Sequence, residues 1–244
     1  MKHFLKVDDF SKQEILYLLK RADLLQYRWQ RNLMPRTLKG RRVALWFYGN
    51  GFRNRTAFEI GARALGADVS FIPGELGVHE PIEDIARYLD NWFSLKVIRC
   101  RNYRDLAQVA QDSIHPVINA RTDRNHPCEI MGDLQYIRKI RGTLNGLNVV
   151  FVGEPTNLCM SWFEAARVLP IRVLQVAPEG FTTPTKTLEE YNRGAAGTVS
   201  TSVSLEESIR KDVDVLYTDC WPKDRETKEI REKFLPYQIT GKIV

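Results

Sequence analysis

Short strand-like segments and longer amphipathic segments alternate along almost the whole chain, and this alternation limits the fold more than any other feature. The segments predicted as strands lie at 43–48, 69–72, 97–101, 117–119, 149–153, 173–177, 198–200 and 213–218. Mostly continuous apolar strands are typical of parallel sheets, which are buried on both faces. The amphipathic segments between them predict helices that connect one strand to the next. The sequence therefore predicts an α/β fold with parallel sheets covered by helices on both faces.

The predicted helices lie at 11–29, 53–65, 81–92, 103–111, 126–141, 162–169, 188–192 and 205–210. The first begins with a capping box formed by Ser11 and Glu14. A turn-forming link at 144–147 follows the fifth helix, so we predict two doubly wound domains, at 1–141 and 142–244. Such domains bind ligands at the carboxyl ends of their strands.

Two glycines and two arginines follow the first predicted strand. Gly49 and Gly51 end the apolar segment, and Arg53 and Arg55 lie in the first turn of the next helix. The free N–H groups of a helix start carry partial positive charge and bind anions, and arginine holds phosphate oxygens in pairs. The stretch predicts an anion site, and a solvated, arginine-rich helix start is the alternative.

A histidine follows the fourth predicted strand in a comparable position. His126 precedes Pro127, and proline is common in the first turn of a helix, so His126 is expected near a helix start at the strand ends. Imidazole can donate a hydrogen bond to a carbonyl or phosphoryl oxygen there. A structural histidine is the alternative.

Charge and cysteine usage argue against several protein classes. The formal net charge is +6, but the basic residues are spread out and no nucleic-acid-binding motif is present, so no nucleic-acid partner is predicted. The four cysteines lack metal-site spacing and are expected to be reduced thiols of a cytoplasmic protein without a metal. No membrane span or signal peptide is predicted. Residues 153–157 lack the dinucleotide glycine pattern and contain Pro155, so no cofactor is expected.

Residues 51–59, Gly-Phe-Arg-Asn-Arg-Thr-Ala-Phe-Glu, resemble the carbamoyl phosphate loop of the aspartate and ornithine carbamoyltransferase family. That loop reads Ser-Thr-Arg-Thr-Arg, a small pair and Phe-Glu. The arginines and Phe-Glu match, whereas the serine and both threonines do not. The segment beginning at His126 and Pro127 resembles the family's His-Pro-x-Gln, with Glu129 in place of glutamine. The resemblance extends from the first helix to the last residue.

Two further motifs resemble the ornithine branch of this family most closely. Residues 216–221 resemble its Tyr-Thr-Asp-x-Trp motif, in which the aspartate contacts the acceptor amine and matches Asp219. Residues 153–157 resemble its acceptor loop, in which Asn157 would hold the amino acid. An ordinary turn carboxylate is the alternative for Asp219.

The resemblance implies carbamoyl transfer from carbamoyl phosphate to the amine of an amino acid such as ornithine, which gives citrulline in arginine metabolism. Arg53 and the helix start would hold the phosphate, Arg99 would assist, and His126 would polarise the carbonyl. A surface arginine is the alternative for Arg99. The substrate-binding residues implied by the resemblance are Gly51, Phe52, Asn54, Arg55, Glu129, Asn157, Asp219 and Lys223.

Departures from the family pattern lead to further expectations. Family members are trimers in which a loop reaches the neighbouring subunit's site, and the matching loop here offers Glu75 and His79. A solvent-exposed loop histidine is the alternative for His79. The lost hydroxyls and the charge of Glu129 predict weakened carbamoyl phosphate binding. Lys223 suits an acidic acceptor group, and the second domain is expected to be shortened and incomplete at its carboxyl end. Two functions stay open: an active carbamoyltransferase, or a related binding or oligomerisation protein without turnover.

Overall fold

The computed structural model describes residues 2–49, 51–209, 212–220 and 227–241. Two compact units make up the chain, Met1–Gln135 and Tyr136–Val244. Each unit contains a four-stranded sheet in which all neighbouring strands are parallel. The predicted α/β fold with two parallel sheets is therefore confirmed.

The first unit alternates strands with helices. Its strands are β1 (Arg42–Phe47), β2 (Asp68–Pro73), β3 (Leu95–Arg99) and β4 (Val117–Arg121). Its helices are α1 (Lys12–Trp29), α2 (Phe52–Ala64), α3 (Ile82–Asp90), α4 (Tyr103–Asp112) and the first part of α5 (Pro127–Arg141). The sheet order is β2-β1-β3-β4, so the carboxyl ends of all four strands lie along one edge.

Helices cover both faces of this sheet. Successive residues of a strand point to opposite faces, and in β3 Val97 belongs to one apolar cluster whereas Ile98 belongs to another. Phe58 of α2 packs on the first cluster, and Leu89 of α3 and Leu106 of α4 belong to the second. Burial on both faces explains the continuous apolar sequence of the strands.

The second unit repeats this arrangement with the sheet order β7-β6-β5-β8. Its strands are β5 (Asn148–Val152), β6 (Arg172–Val176), β7 (Thr198–Ser202) and β8 (Val215–Thr218). Its helices are α6 (Asn157–Val168), α7 (Thr185–Asn192), α8 (Leu205–Ile209) and α9 (Lys228–Phe234). The two units divide within α5, between Gln135 and Tyr136. The domain boundary predicted after residue 141, at the end of the same helix, stays a prediction.

Helix α6 begins at Asn157, five residues before the start predicted at 162. Asn157 and Ser161 are polar but buried, and the Ser161 hydroxyl donates to the Asn157 carbonyl oxygen at 3.0 Å. Because the helix is buried around most of its circumference, it lacks the amphipathic periodicity by which the other helices were predicted.

Helix α9 was not predicted from the sequence. Its seven residues are mostly charged, and so short a segment forms a helix only with tertiary support. Thr227 caps it by accepting a hydrogen bond from the Ile230 N–H at 3.2 Å. The support comes from buried Phe234, whose ring centroid lies 4.9 Å from that of Phe181.

Candidate functional site

The start of α2 presents backbone donors at the carboxyl edge of the first sheet. Gly49 follows β1 with a φ of 67°, a left-handed conformation that suits glycine, and Gly51 is the N-cap of α2. No side chain caps this helix, so its first N–H groups keep their donor capacity. Phe52 and Arg53, the first two helical residues, are exposed.

Arg99, the last residue of β3, packs its guanidinium against this helix start. A Cβ atom placed on Gly51 would lie 2.8 Å from the Arg99 Cζ, so only glycine allows this approach. The Arg99 Nε is buried, and within the described part of the chain it has no hydrogen-bond partner. Burial, followed by the charge of Arg121, lowers the pKa of Arg99. Arg99 is thus a half-buried cation beside free helix N–H groups rather than an arginine in open solvent.

His126 lies at the start of α5, as the sequence predicted, and its side chain is only 5% exposed. Its Nε2 atom lies 2.9 Å from the Asn54 Nδ2 and 2.9 Å from the Glu129 Oε2. The Asn54 Nδ2 also donates to the Ala120 carbonyl oxygen at 3.1 Å. This hydrogen bond links the Asn54 side chain of α2 to β4. Asn54, His126 and Glu129 therefore form one polar group next to the α2 start.

Glu129 is ionised in a positively charged surrounding. The hydrogen bond from His126 is the main cause that lowers the pKa of Glu129, and the charges of His126, Arg53 and Arg121 lower it further. The side chain is 47% exposed, so solvent screens part of this interaction. The structure thus brings Arg53, Arg99, His126 and Glu129 together, as expected from the sequence.

Arg121, the last residue of β4, belongs to the same group but was missed by the sequence analysis. A one-residue register shift after Ile98 pairs Arg99 with Arg121 instead of Ala120. Its position in the sequence could have indicated this, because Arg121 ends β4 as Arg99 ends β3. The shift itself cannot be read from either strand alone.

Arg55 was predicted to bind substrate, but its guanidinium has other contacts. Its Nε lies 3.6 Å from the Glu59 Oε2, and its Cζ lies 3.6 Å from the ring centroid of Phe71. Its backbone N–H donates to the Gly51 carbonyl oxygen at 3.0 Å. A role for Arg55 in binding stays a prediction that these contacts do not support.

In the second unit, Asn157 and Asp219 follow the ends of two neighbouring strands. Val152, the last residue of β5, pairs with Thr218, the last residue of β8, and the Thr218 hydroxyl donates to the Val152 carbonyl oxygen at 3.0 Å. Asn157 begins α6 and is 9% exposed. One Asp219 oxygen accepts from the Cys220 N–H at 2.7 Å, as in an ordinary turn. Lys223 lies outside the described residues.

The four cysteines form no disulfide. Burial raises the pKa of Cys100 and of Cys128 to about 12, so both thiols stay protonated and are poor nucleophiles. In residues 2–49, 51–209, 212–220 and 227–241, no cluster of three or more His, Cys, Asp or Glu side chains could hold a metal ion. None of the helices in the same ranges is long and apolar enough to cross a membrane.

Comparison with protein families matches both units. The carbamoyl-P binding domain of the aspartate/ornithine carbamoyltransferases matches residues 2–139. Their Asp/Orn binding domain matches residues 145–244. The chain belongs to the aspartate/ornithine carbamoyltransferase family.

Relatives named ornithine carbamoyltransferase resemble this family member over its whole length. The protein of Psychrobacter arcticus is 30% identical over 253 residues, which cover 100% of this chain and 80% of the relative. The structure of the anabolic ornithine carbamoyltransferase of Campylobacter jejuni superposes with a TM-score of 0.90 at 29% identity, covering 100% of this chain and 82% of that one. The Pyrococcus furiosus enzyme gives a TM-score of 0.91 at 28% identity and covers 100% and 80%.

The loop that follows β2 was predicted to offer Glu75 and His79 to a neighbouring subunit of this carbamoyltransferase family member. Glu75 is held within its own chain, because its Oε1 accepts from the Arg101 Nε at 3.0 Å. Arg101 in turn lies over the ring of Tyr48 at 4.3 Å. His79 is exposed. These contacts favour His79 over Glu75 as the residue that would reach outward.

Proposed function

We propose that this protein transfers the carbamoyl group of carbamoyl phosphate to the amine of an amino acid, ornithine or a related acceptor. The observation that carries the proposal is the packing of the Arg99 guanidinium against the uncapped start of α2, beside Arg53 and His126. Helix N–H groups and two guanidinium groups match a phosphate, and an imidazole next to them matches a carbonyl oxygen.

The proposed chemistry needs positioning and charge stabilisation rather than a nucleophile of the protein. The acceptor nitrogen attacks the carbonyl carbon, a C–N bond forms, and the carbonyl electrons move to oxygen. His126 donates a hydrogen bond to that oxyanion. Collapse of the tetrahedral intermediate breaks the C–O bond to phosphate, which leaves with the electron pair, and the departing phosphate accepts the proton that the nitrogen loses.

Asn157 and Asp219 are proposed to bind the acceptor amino acid. Their placement after the paired ends of β5 and β8 supports this, because ligands of doubly wound sheets bind at such ends. Asn157 would hold the backbone groups of the amino acid and Asp219 its reacting amine. Lys223 belongs to the same proposal through its sequence position and would select for an acidic group on the acceptor.

A homotrimer in the cytoplasm completes the proposal. The resemblance to trimeric carbamoyltransferases supports the oligomer, with His79 as the candidate for contact with the next subunit's site. Four cysteines without a disulfide support a reducing compartment.

Isothermal titration with carbamoyl phosphate at low salt, with inorganic phosphate as the reference ligand, tests the donor half of this proposal. We expect carbamoyl phosphate to bind more tightly than phosphate, and Arg53→Ala to weaken both by about tenfold or more. Arg63→Ala, which removes an exposed arginine near the other end of α2, is the matched control. Unchanged binding in Arg53→Ala would show that the α2 start is not the phosphate site.

A second function, anion binding without turnover, is favoured by one contact. The His126 Nε2 that would serve the carbonyl oxygen already lies 2.9 Å from the Glu129 carboxylate. Product formation from carbamoyl phosphate and ornithine separates the two functions. Tight binding of carbamoyl phosphate would favour the binding protein if no citrulline forms from ornithine and no carbamoylated product forms from acidic amino acids.

A further inference from the structure

Three arginines and one carboxylate share the edge of the first sheet where α2 begins. Arg53 lies in the first turn of α2, Arg99 ends β3, and Arg121 ends β4. Arg99 and Arg121 are paired across neighbouring strands, which lie about 4.8 Å apart. Glu129, held by His126 at 2.9 Å, completes the group.

The three guanidinium groups are uncompensated apart from Glu129. Within the described ranges, none of them makes a hydrogen bond or an ion pair closer than 4.0 Å. Arg55, Arg63 and Arg101, by contrast, each pair with a glutamate. The guanidinium groups of Arg53, Arg99 and Arg121 are therefore available to bind an anionic ligand. The nearby arginines, by contrast, are neutralised by glutamates of the same chain.

Arg121 lies close enough to the other members of the group for its charge to affect them. Its charge lowers the pKa of Arg99, next to the effect of burial, and also lowers the pKa of Glu129. Its side chain is half-buried, so this field is screened less than that of a fully exposed arginine.

We propose that Arg121 is a third phosphate-binding arginine, and that its charge offsets the negative charge that Glu129 brings to the same site. The inference rests on the proposed function for the identity of the donor substrate. Arg121 stands one strand away from Arg99 and therefore reaches the same anion from another side.

Charge balance gives the physical reason. Three guanidinium groups and one carboxylate leave two positive charges, which match a phosphate dianion. Without Arg121 the same site would carry one net positive charge, and Glu129 would repel the ligand with little compensation. Glu129 can then accept a hydrogen bond from the carbamoyl NH₂ group at a lower cost in phosphate affinity.

Isothermal titration of four variants tests the pairing of the two charges. Arg121→Gln, Glu129→Gln and the double variant are compared with the wild type, using carbamoyl phosphate and, separately, inorganic phosphate at low salt. Arg87→Gln removes an exposed arginine of α3 outside the site and is the charge-matched control. Thermal unfolding of each variant checks that it is folded.

We expect Arg121→Gln to weaken both ligands by about tenfold or more, and Glu129→Gln to tighten both by several-fold. The double variant should return to within about threefold of the wild type, because two opposite charges are lost together. Arg87→Gln should stay near the wild type. If Arg121→Gln fails to fold, Arg121→Lys replaces it. We expect a smaller loss of affinity for this variant, because lysine keeps the positive charge and lacks only the planar guanidinium that binds phosphate oxygens in pairs.

Two results would overturn the inference. If Arg121→Gln, or Arg121→Lys in its place, binds inorganic phosphate as well as Arg87→Gln does, then Arg121 is not an anion-binding residue. If the double variant is no tighter than Arg121→Gln, Arg121 does not offset Glu129. Carbamoyl phosphate binding no tighter than phosphate in the wild type would instead count against the proposed function, while the phosphate titrations would still decide the role of Arg121.

Discussion

At the scale of single residues, His126 has two neighbours that require opposite protonation states of its Nε2 atom. Its Nε2 lies 2.9 Å from both the Asn54 Nδ2 and the Glu129 Oε2. An imidazole nitrogen either carries a proton and donates, or accepts through its lone pair. The Asn54 amide nitrogen needs an acceptor, whereas an ionised Glu129 needs a donor. An ionised Glu129 favours the protonated Nε2, and a carbonyl oxygen would have to compete with the Glu129 carboxylate for this N–H group.

The pH dependence of stability follows from Glu129. Its pKa is lowered from 4.5, first by the hydrogen bond from His126, so its contribution is complete above 4.5 and lost as the pH falls through the lower folded value. We expect the stability difference between the wild type and Glu129→Gln to shrink from pH 7 to pH 3.5. Urea unfolding at both pH values measures it. A constant difference would show that the charge of Glu129 makes no contribution.

At the scale of secondary-structure elements, the contact between β3 and the start of α2 depends on Gly51. We expect Gly51→Ala to displace the Arg99 guanidinium, since the new Cβ would lie 2.8 Å from its Cζ, and to weaken phosphate binding several-fold. Gly61→Ala in the same helix meets nothing within 4 Å. This control should keep the affinity and stabilise the protein by about 0.5–1 kcal/mol. Equal phosphate affinities in the two variants, measured by titration, would contradict the proposed role of Arg99.

A buried ion pair joins the end of α3 to β3. Lys96 is fully buried, its Nζ bonds to Asp90, and the second Asp90 oxygen accepts from the Ile114 N–H at 2.8 Å. Asp90→Asn would leave a buried ammonium without a counter-charge, and we expect a loss of about 3 kcal/mol in the free energy of unfolding. Asp68→Asn at the exposed start of β2 should cost much less. Denaturant unfolding compares the two, and equal losses would show that the pair is not a major source of stability.

At the scale of the whole molecule, the residues proposed to bind carbamoyl phosphate and those proposed to bind the acceptor amino acid lie at the ends of different sheets. The proposed donor group lies in the first unit, and the proposed acceptor residues Asn157 and Asp219 lie in the second. Helix α2 has no fully buried residue, and the edge strand β2 is mostly exposed. Exposed apolar surface and an unpaired strand edge are typical of interaction sites, so these observations fit a subunit contact.

We expect sedimentation equilibrium to give three chain masses, and mixed trimers to reveal shared sites. Arg53→Ala and His79→Ala proteins, each with reduced activity alone, are unfolded together, refolded and assayed. If His79 serves the neighbouring subunit, some sites combine an intact Arg53 with an intact His79, and activity returns. A monomer in solution, or no recovery from a well-formed mixed trimer, would contradict this arrangement.

Much of the fold followed from local patterns. Strands with two buried faces are mostly apolar, and the capping box at Ser11 and Glu14 marked the start of α1. These features were predictable because the residues that indicate a buried strand or a helix cap lie within that strand or at that helix end. Helix α6 began earlier than expected because Asn157 and Ser161 are buried despite being polar. α9 escaped prediction because its packing through Phe234 lies outside its own sequence.

The sequence by itself determined the two parallel sheets, the motif at the start of α2 and the position of His126 at the start of α5. Only the tertiary structure decided which charges meet. The register shift that pairs Arg99 with Arg121, and the ion pair that holds Glu75 to Arg101, join residues distant in the chain. Local propensity acts over neighbouring residues, whereas strand register and side-chain pairing are set by contacts between elements.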